Sequence, residues 1–298
     1  MKVEINNIKR FLPDSWNDLT HTELLTVYQF IVESVPAFVF TKEEIPHFVR
    51  IELAKYLLKI DDDFLVKWKN DCEQFGELIF EDELKKVSYA VTNFLFNENE
   101  EVELGLTRNP YPRIAYRRNK KKKYLYGAGN SLSNISLYEL GTTFTLFERY
   151  LKDHDETHLN KLLAVLFRPS KPKTKDNIRS DYNGDRRLPY QDYETTVDRR
   201  IPIINKWPAF IKSILFFWFA SCRNQIIDGH PNVFKKEASN LEKIGNDYGW
   251  GGILLNLSGG VVNLKVVGSQ PYQHGLTYLS FLEDERKIAE YKNKRRAR

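Results

Sequence analysis

The stretch Phe210 to Ala220 reads FIKSILFFWFA and is the most apolar run in the chain. A membrane-spanning helix needs roughly 20 such residues. This run is about half that length, and Lys212 interrupts it. A helix buried inside the protein's own core accounts for it, extending from about Pro208 to Ile227 and ending at Gly229-His-Pro. The remaining elements have to supply apolar faces that cover it.

Those faces are legible as helical spacing. Leu24, Val27, Tyr28 and Ile31 repeat at helix period, with Thr20 or Thr22 as cap and Pro36 as stop. A second helix is expected from Glu43 or Pro46 to Leu58, and a third opens at Asp61 to Asp63, where carboxylates answer free backbone N–H groups. Residues from about Glu81 to Leu95 fit a fourth. Ser136 followed by Glu139 forms a capping box, and Leu140, Phe144, Phe147 and Leu151 line the helix it opens. Shorter helical patterns follow from Glu156, in Tyr193 to Arg200 and in Lys235 to Tyr248, and a last one runs from Leu276 to about Arg295. Trp250 to Val267 fits either a closely packed helix or a strand pair.

Between Glu101 and Gly127 the pattern changes to alternation, with Asn109-Pro-Tyr-Pro inserted and the sharpest turn at Asn119 to Lys122. The fold expected is therefore mainly α, a multi-helix globular protein with a small antiparallel β-hairpin or sheet near residues 101–127. Three regions are expected: an acidic helical one over 1–100, a basic hairpin over 101–130, and a helical one over 131–298. The last carries a long polar loop at 168–192, and a structureless loop of that length is usually functional or disordered.

Net charge is only +5, but it is unevenly spread. Arg108 to Lys123 holds eight cations and no acid, and Lys292 to Arg298 is basic again. Within the first segment Arg113, Tyr116, Arg117, Arg118, Lys120, Lys121, Lys122 and Lys123 interleave cations with aromatics. That combination serves single-stranded nucleic acid through stacking and phosphate neutralisation. A solvated hairpin tip uses the same residues, since lysines also blunt sheet edges. The basic run at 292–298 reads as a helix end, where cations suit the dipole. Met1 to Asn7 has no apolar core or cleavage site, and the two cysteines, Cys72 and Cys222, form no disulfide framework. A cytoplasmic protein with two buried thiols is expected.

No motif assembles a reaction centre. His154 and His158 have zinc-helix spacing, but Asp155 stands where the metalloprotease pattern needs Glu, and no third ligand is evident. Gly127-Ala-Gly129 and Gly249 to Gly252 lack the Lys-Ser/Thr ending of a phosphate loop. A catalytic Cys222 would need a basic partner to lower its pKa, and nothing in the sequence places His230 beside it, so a buried core cysteine is expected. The expectation is no metal, no cofactor and no catalysis, with charged residues serving solvent and surfaces and apolar ones serving helix contacts.

Several stretches together carry a resemblance: LLAVLFRP over Leu162–Pro169, DRRLPY over Asp185–Tyr190, FFWFASCRN over Phe216–Asn224, PNVF over Pro231–Phe234 and DYGW over Asp247–Trp250. They resemble a family of phage and prophage proteins of Bacteroidetes-type bacteria that is similar to tail assembly chaperones, over roughly residues 125–295. The resemblance implies a non-enzymatic virion-assembly or interaction protein that binds a protein partner, such as a tape-measure protein, in the bacterial host cell or in the virion. The basic segment supports an alternative, a nucleic-acid-binding accessory protein of a mobile element.

Overall fold

The computed structural model describes residues 2–5, 8–34, 47–73, 77–171, 185–190, 197–234 and 249–296. The chain is mainly α-helical with a small three-stranded antiparallel sheet. It forms two compact units, Met1–Thr107 and Arg108–Arg298.

The first unit opens with a strand pair that the sequence pattern did not announce. β1 (Lys2–Ile5) and β2 (Ile8–Phe11) pair antiparallel from Lys2↔Phe11 to Ile5↔Ile8. α1 (His21–Ser34) begins where Thr20 and Glu23 exchange hydrogen bonds: Glu23 N–H donates to Thr20 Oγ1 at 3.3 Å and Thr20 N–H to Glu23 Oε2 at 3.0 Å. Two amides at the helix start are thereby satisfied. α2 (His47–Leu58), α3 (Asp62–Glu73) and α4 (Glu77–Thr92) follow, with α1 and α4 against α2 and α3 against α4. Asp61 Oδ1 accepts from Phe64 N–H at 2.8 Å, as a first-turn carboxylate should. The alternating stretch Glu101 to Leu106 is not a sheet strand; Val102 makes a single bridge to Phe96.

In the second unit β3 (Arg113–Arg118) and β4 (Lys121–Tyr126) form a hairpin in register from Arg113↔Tyr126 to Arg118↔Lys121. The turn is Asn119-Lys120, both at positive φ (52° and 60°). Two such residues make the mirror-image turn whose twist matches that of paired strands. β5 (Arg168–Pro169) joins the other edge of β4, pairing Leu125↔Pro169 and Tyr126↔Arg168. The hairpin lies within the second compact unit. Leu125 is fully buried, and a Cβ on Gly127 would meet Phe167 and Asn109 within 3 Å.

α5 (Leu137–Asp153) and α6 (Glu156–Leu166) pack on each other, then come α7 (Ile201–Ile204) and α8 (Ala209–Gly229). α8 is the apolar run, and Phe217, Trp218 and Phe219 are wholly buried. Phe216 stacks on Phe147 of α5 at 5.0 Å, and Phe219 meets Phe144 edge-on at 6.2 Å. The Lys212 ammonium reaches Glu156 at 3.2 Å. α9 (Pro231–Phe234), α10 (Gly249–Leu257), α11 (Leu264–Gly268) and α12 (Tyr272–Arg296) complete the unit. Trp250 to Val267 is thus helical rather than a strand pair. Gly259 and Gly260, at φ 61° and 120°, break it into two helices.

Among the described residues no single helix is long and apolar enough to cross a membrane. A pair bent by 97°, Trp250–Leu257 with Val261–Gly268, has the length and composition only when taken together. The expected helix over 235–248 and most of the polar loop lie outside the described residues. The loop's described ends are stitched together: Lys171 N–H donates to Arg186 O and Leu188 N–H to Pro169 O, both at 2.8 Å.

Candidate functional site

The capping box at the start of α5 does more than cap. Glu139 Oε2 accepts from Ser136 N–H at 2.9 Å. Its other oxygen points into the second unit, 2.8 Å from Arg168 Nη2 and 3.4 Å from Arg187 Nη1. Arg168 is placed there by β5 and Arg187 by the bridge Ser170↔Arg187. Asp185, two residues before Arg187, receives that guanidinium at 2.9 Å and 3.2 Å and lies 3.5 Å from Arg168. Arg200 lies close enough to add its field and donates to Ala164 O at 2.8 Å. Three guanidiniums and two carboxylates thus share one interior, each between 1% and 8% exposed.

The partners are unequally distributed. Arg187 is saturated: besides Asp185 it donates to Leu166 O at 3.0 Å and Asn134 O at 2.8 Å. It thereby ties the C-terminal end of α6 to the segment leading into α5. Arg168 is not saturated. Among the described residues its Nε and Nη1 are buried without an acceptor, as is Nη2 of Arg200. The 2.8 Å contact between Arg168 and Glu139 is close yet off the hydrogen-bonding direction, since Glu139 Oε1 accepts no hydrogen bond. Burial pulls the Arg168 guanidinium down to about 10, opposed first by Glu139 and reinforced by Arg187. Arg200 falls to about 10 for the same first reason, with Arg168 adding to the fall. Both stay cationic at neutral pH.

Glu139, Arg168, Asp185 and Arg187 form part of the wall of a cavity of about 1050 Å³. Arg149, Lys171 and Lys265 add further cations to its lining, Ser136 and Thr142 add hydroxyls, and Tyr138 and Trp250 add aromatic faces. Charged residues here serve the interior, which corrects the expectation that they serve only solvent and surfaces. Sequence reasoning missed the site although it had touched its parts. Glu139 was visible as a cap, Arg168 as the end of LLAVLFRP, and Asp185 with Arg187 as the start of DRRLPY. Nothing in the spacing announced that the three segments meet.

The other candidates are scattered. Arg113, Arg117, Arg118 and Lys120 to Lys123 are exposed on the hairpin, with Tyr116 half-buried. Among the described residues none of these cations pairs with a carboxylate; Arg113 and Lys122 lie over Tyr124, 5.4 and 5.5 Å from its ring centre. His154 and His158 do not share a helix. His154 ends α5 in the left-handed region at φ 54°, Asp155 caps α6, and His158 Nε2 sits 3.2 Å from Asp153. Among the described residues no group of three potential ligands gathers. Cys222 is fully buried, and desolvation raises its thiol far above the ordinary range.

One surface stands apart. Tyr278, Phe281, Ile288 and Tyr291 of α12 are each more than half exposed, and their spacing keeps them on one side of the helix. Leu255, Val261, Val262 and Val266 are also exposed, on the α10–α11 pair, Val262 being 94% exposed. Lys287, Lys292 and Arg295 border Ile288 and Tyr291 in a shallow basic groove.

Fold and site together define a mainly α-helical protein with a buried arginine–carboxylate network and an apolar, basic-edged outer helix. Compared with protein families, curated proteins and solved structures, the chain matches none.

Proposed function

We propose that this chain is a non-enzymatic interaction protein that holds a helical segment of a partner protein along α12. The apolar stripe from Tyr278 to Tyr291 carries the reading. Four large apolar side chains on one face of a 25-residue helix are costly to leave in water. An amphipathic partner helix laid along that face would cover them, and the flanking Lys287, Lys292 and Arg295 would favour a partner with acidic edges. The network around Arg187 suits a rigid support, because both carboxylates are held between guanidiniums. The sequence resemblance gives the partner its proposed identity, a phage tail protein such as the tape-measure protein.

The test is co-expression with the tail proteins of a phage or prophage encoding this chain, followed by affinity capture. The expected result is co-purification of the tape-measure protein, lost in a Phe281→Glu/Ile288→Glu variant that melts like the parent. Capture without any tail protein refutes the tail reading, and unchanged capture by the variant refutes the surface.

A second reading has its own support. Seven cations on the hairpin without carboxylate partners among the described residues, beside Tyr124 and Tyr126, suit single-stranded nucleic acid. Binding would weaken steeply as salt rises, and Lys120→Gln with Lys122→Gln would reduce the salt slope by about 1 to 2. Binding that is absent or insensitive to salt eliminates this reading.

A further inference from the structure

We propose that α12 pairs with α12 of a second copy of this chain, antiparallel and centred on Ile288. The first observation is exposure. Every residue from Asp284 to Arg295 is exposed, so the helix leaves the body of the unit there. Contacts with the body are confined to one edge, where Asn232 donates to Asp284 and accepts from Lys287, both at 2.9 Å. A helix without tertiary packing is marginal in water, and covering an apolar face is what stabilises it. Ile288 and Tyr291 lie on this projecting part, in line with Phe281 about two turns earlier.

The second observation is how the charges are sorted. At about 100° per residue, Phe281, Glu285, Ile288, Lys292 and Arg295 share one face. On that face the acid precedes Ile288 and the cations follow it. The opposite face is already matched within the helix, where Arg286 meets Glu283 at 2.7 Å and Glu290 at 2.6 Å. Among the described residues neither Glu285 nor Lys292 makes an ion pair or a hydrogen bond. A face sorted in this way complements itself in one orientation. Laid antiparallel with Ile288 over Ile288, Glu285 of each copy comes beside Lys292 of the other, and Arg295 comes over the ring of Phe281. A parallel pair would set Glu285 against Glu285 and Lys292 against Lys292, which repels. The pairing uses the stripe of the proposed partner site but needs no partner. A second copy therefore covers the stripe until a partner helix displaces it.

The experiment is sedimentation equilibrium of the full-length chain alone. A contact of a few helical turns is small for an interface, so a reversible dimer with a dissociation constant of about 1–100 µM is expected. Glu285→Lys and Lys292→Glu each change an exposed side chain, so folding is preserved. Each alone should weaken the dimer about tenfold, because like charges then face across it. Glu285→Lys/Lys292→Glu should restore it to within about threefold of the parent. Ile288→Cys should form a disulfide-linked dimer on oxidation, since its two copies meet on the two-fold axis. Arg295→Cys should not, with its copies about 20 Å apart. The native Cys72 and Cys222 are buried and stay silent. A chain that remains monomeric at all these concentrations overturns the proposal. So does a dimer that the single charge reversals leave unchanged, or one that the double reversal does not restore. A monomeric chain that still captures a tail protein removes this pairing alone, whereas a dimer that captures none removes the tail reading alone.

Discussion

Replacing Arg187 by Met tests whether the buried network holds the second unit together. The guanidinium is 1% exposed and donates to Asp185, Leu166 O and Asn134 O. Methionine fills much of the stem volume but donates nothing. Removing one partner of a buried ion pair costs about 3–5 kcal/mol, because the other charge stays buried without compensation. Here Arg168 still faces Asp185 and relieves part of that cost, while the two carbonyls losing a donor add about 0.5–1.5 kcal/mol each. A net loss of about 4 kcal/mol is expected, which for a unit of this size lowers its melting temperature by about 8–16 °C. Urea unfolding followed by tryptophan fluorescence measures it. Arg187→Lys should fall between the two, since an ammonium keeps the charge but cannot span three acceptors. Adding Asp185→Leu to Arg187→Met should recover stability, because the stranded carboxylate goes with it. A loss below about 1 kcal/mol in Arg187→Met, or a lysine variant as stable as the parent, would show that the network is not what fixes these segments.

Three further outcomes follow from the same geometry. Trp218→Ala empties a fully buried site in α8 and should cost about 3–5 kcal/mol by urea unfolding; a loss under about 1 kcal/mol would mean the core collapses to fill it. Cys222, buried with its thiol raised by desolvation, should react with Ellman's reagent at neutral pH only as the protein unfolds; a rate near that of a free thiol in the folded protein contradicts its placement. The Thr20 hydroxyl, then its amide, hold Glu23 below the ordinary carboxylate value, so this pair stabilises above the unfolded pKa and loses that contribution as pH falls through the folded one. Thr20→Ala should therefore cost about 1 kcal/mol at pH 7 and visibly less near pH 3, and an equal cost at both pH values removes the charge from the argument.

What the sequence could say, it said through interactions between near neighbours. Thr20 with Glu23, Asp61 with Phe64 and Ser136 with Glu139 are capping contacts three residues apart, so their chemistry is legible without a fold. The hairpin around Asn119 and Lys120 was legible for the same reason, as was the burial of α8, because its apolar run leaves no other placement. The β1–β2 pair escaped because strands of four residues are too short to give a periodic signal, even though KVEI alternates.

The charged interior was beyond reach for a different reason. Glu139 satisfies its local cap with one oxygen, and only the tertiary structure reveals that the other meets Arg168 and Arg187. Arg168, Asp185 and Arg187 read as a helix end and a polar loop until β5 and the Ser170 bridge bring them under α5. Sequence determined which residues carry charge and which segments coil into helices, since both follow from side-chain chemistry and local backbone bonding. The fold alone decided which charges leave water, because burial is set by what packs above a residue and not by what precedes it.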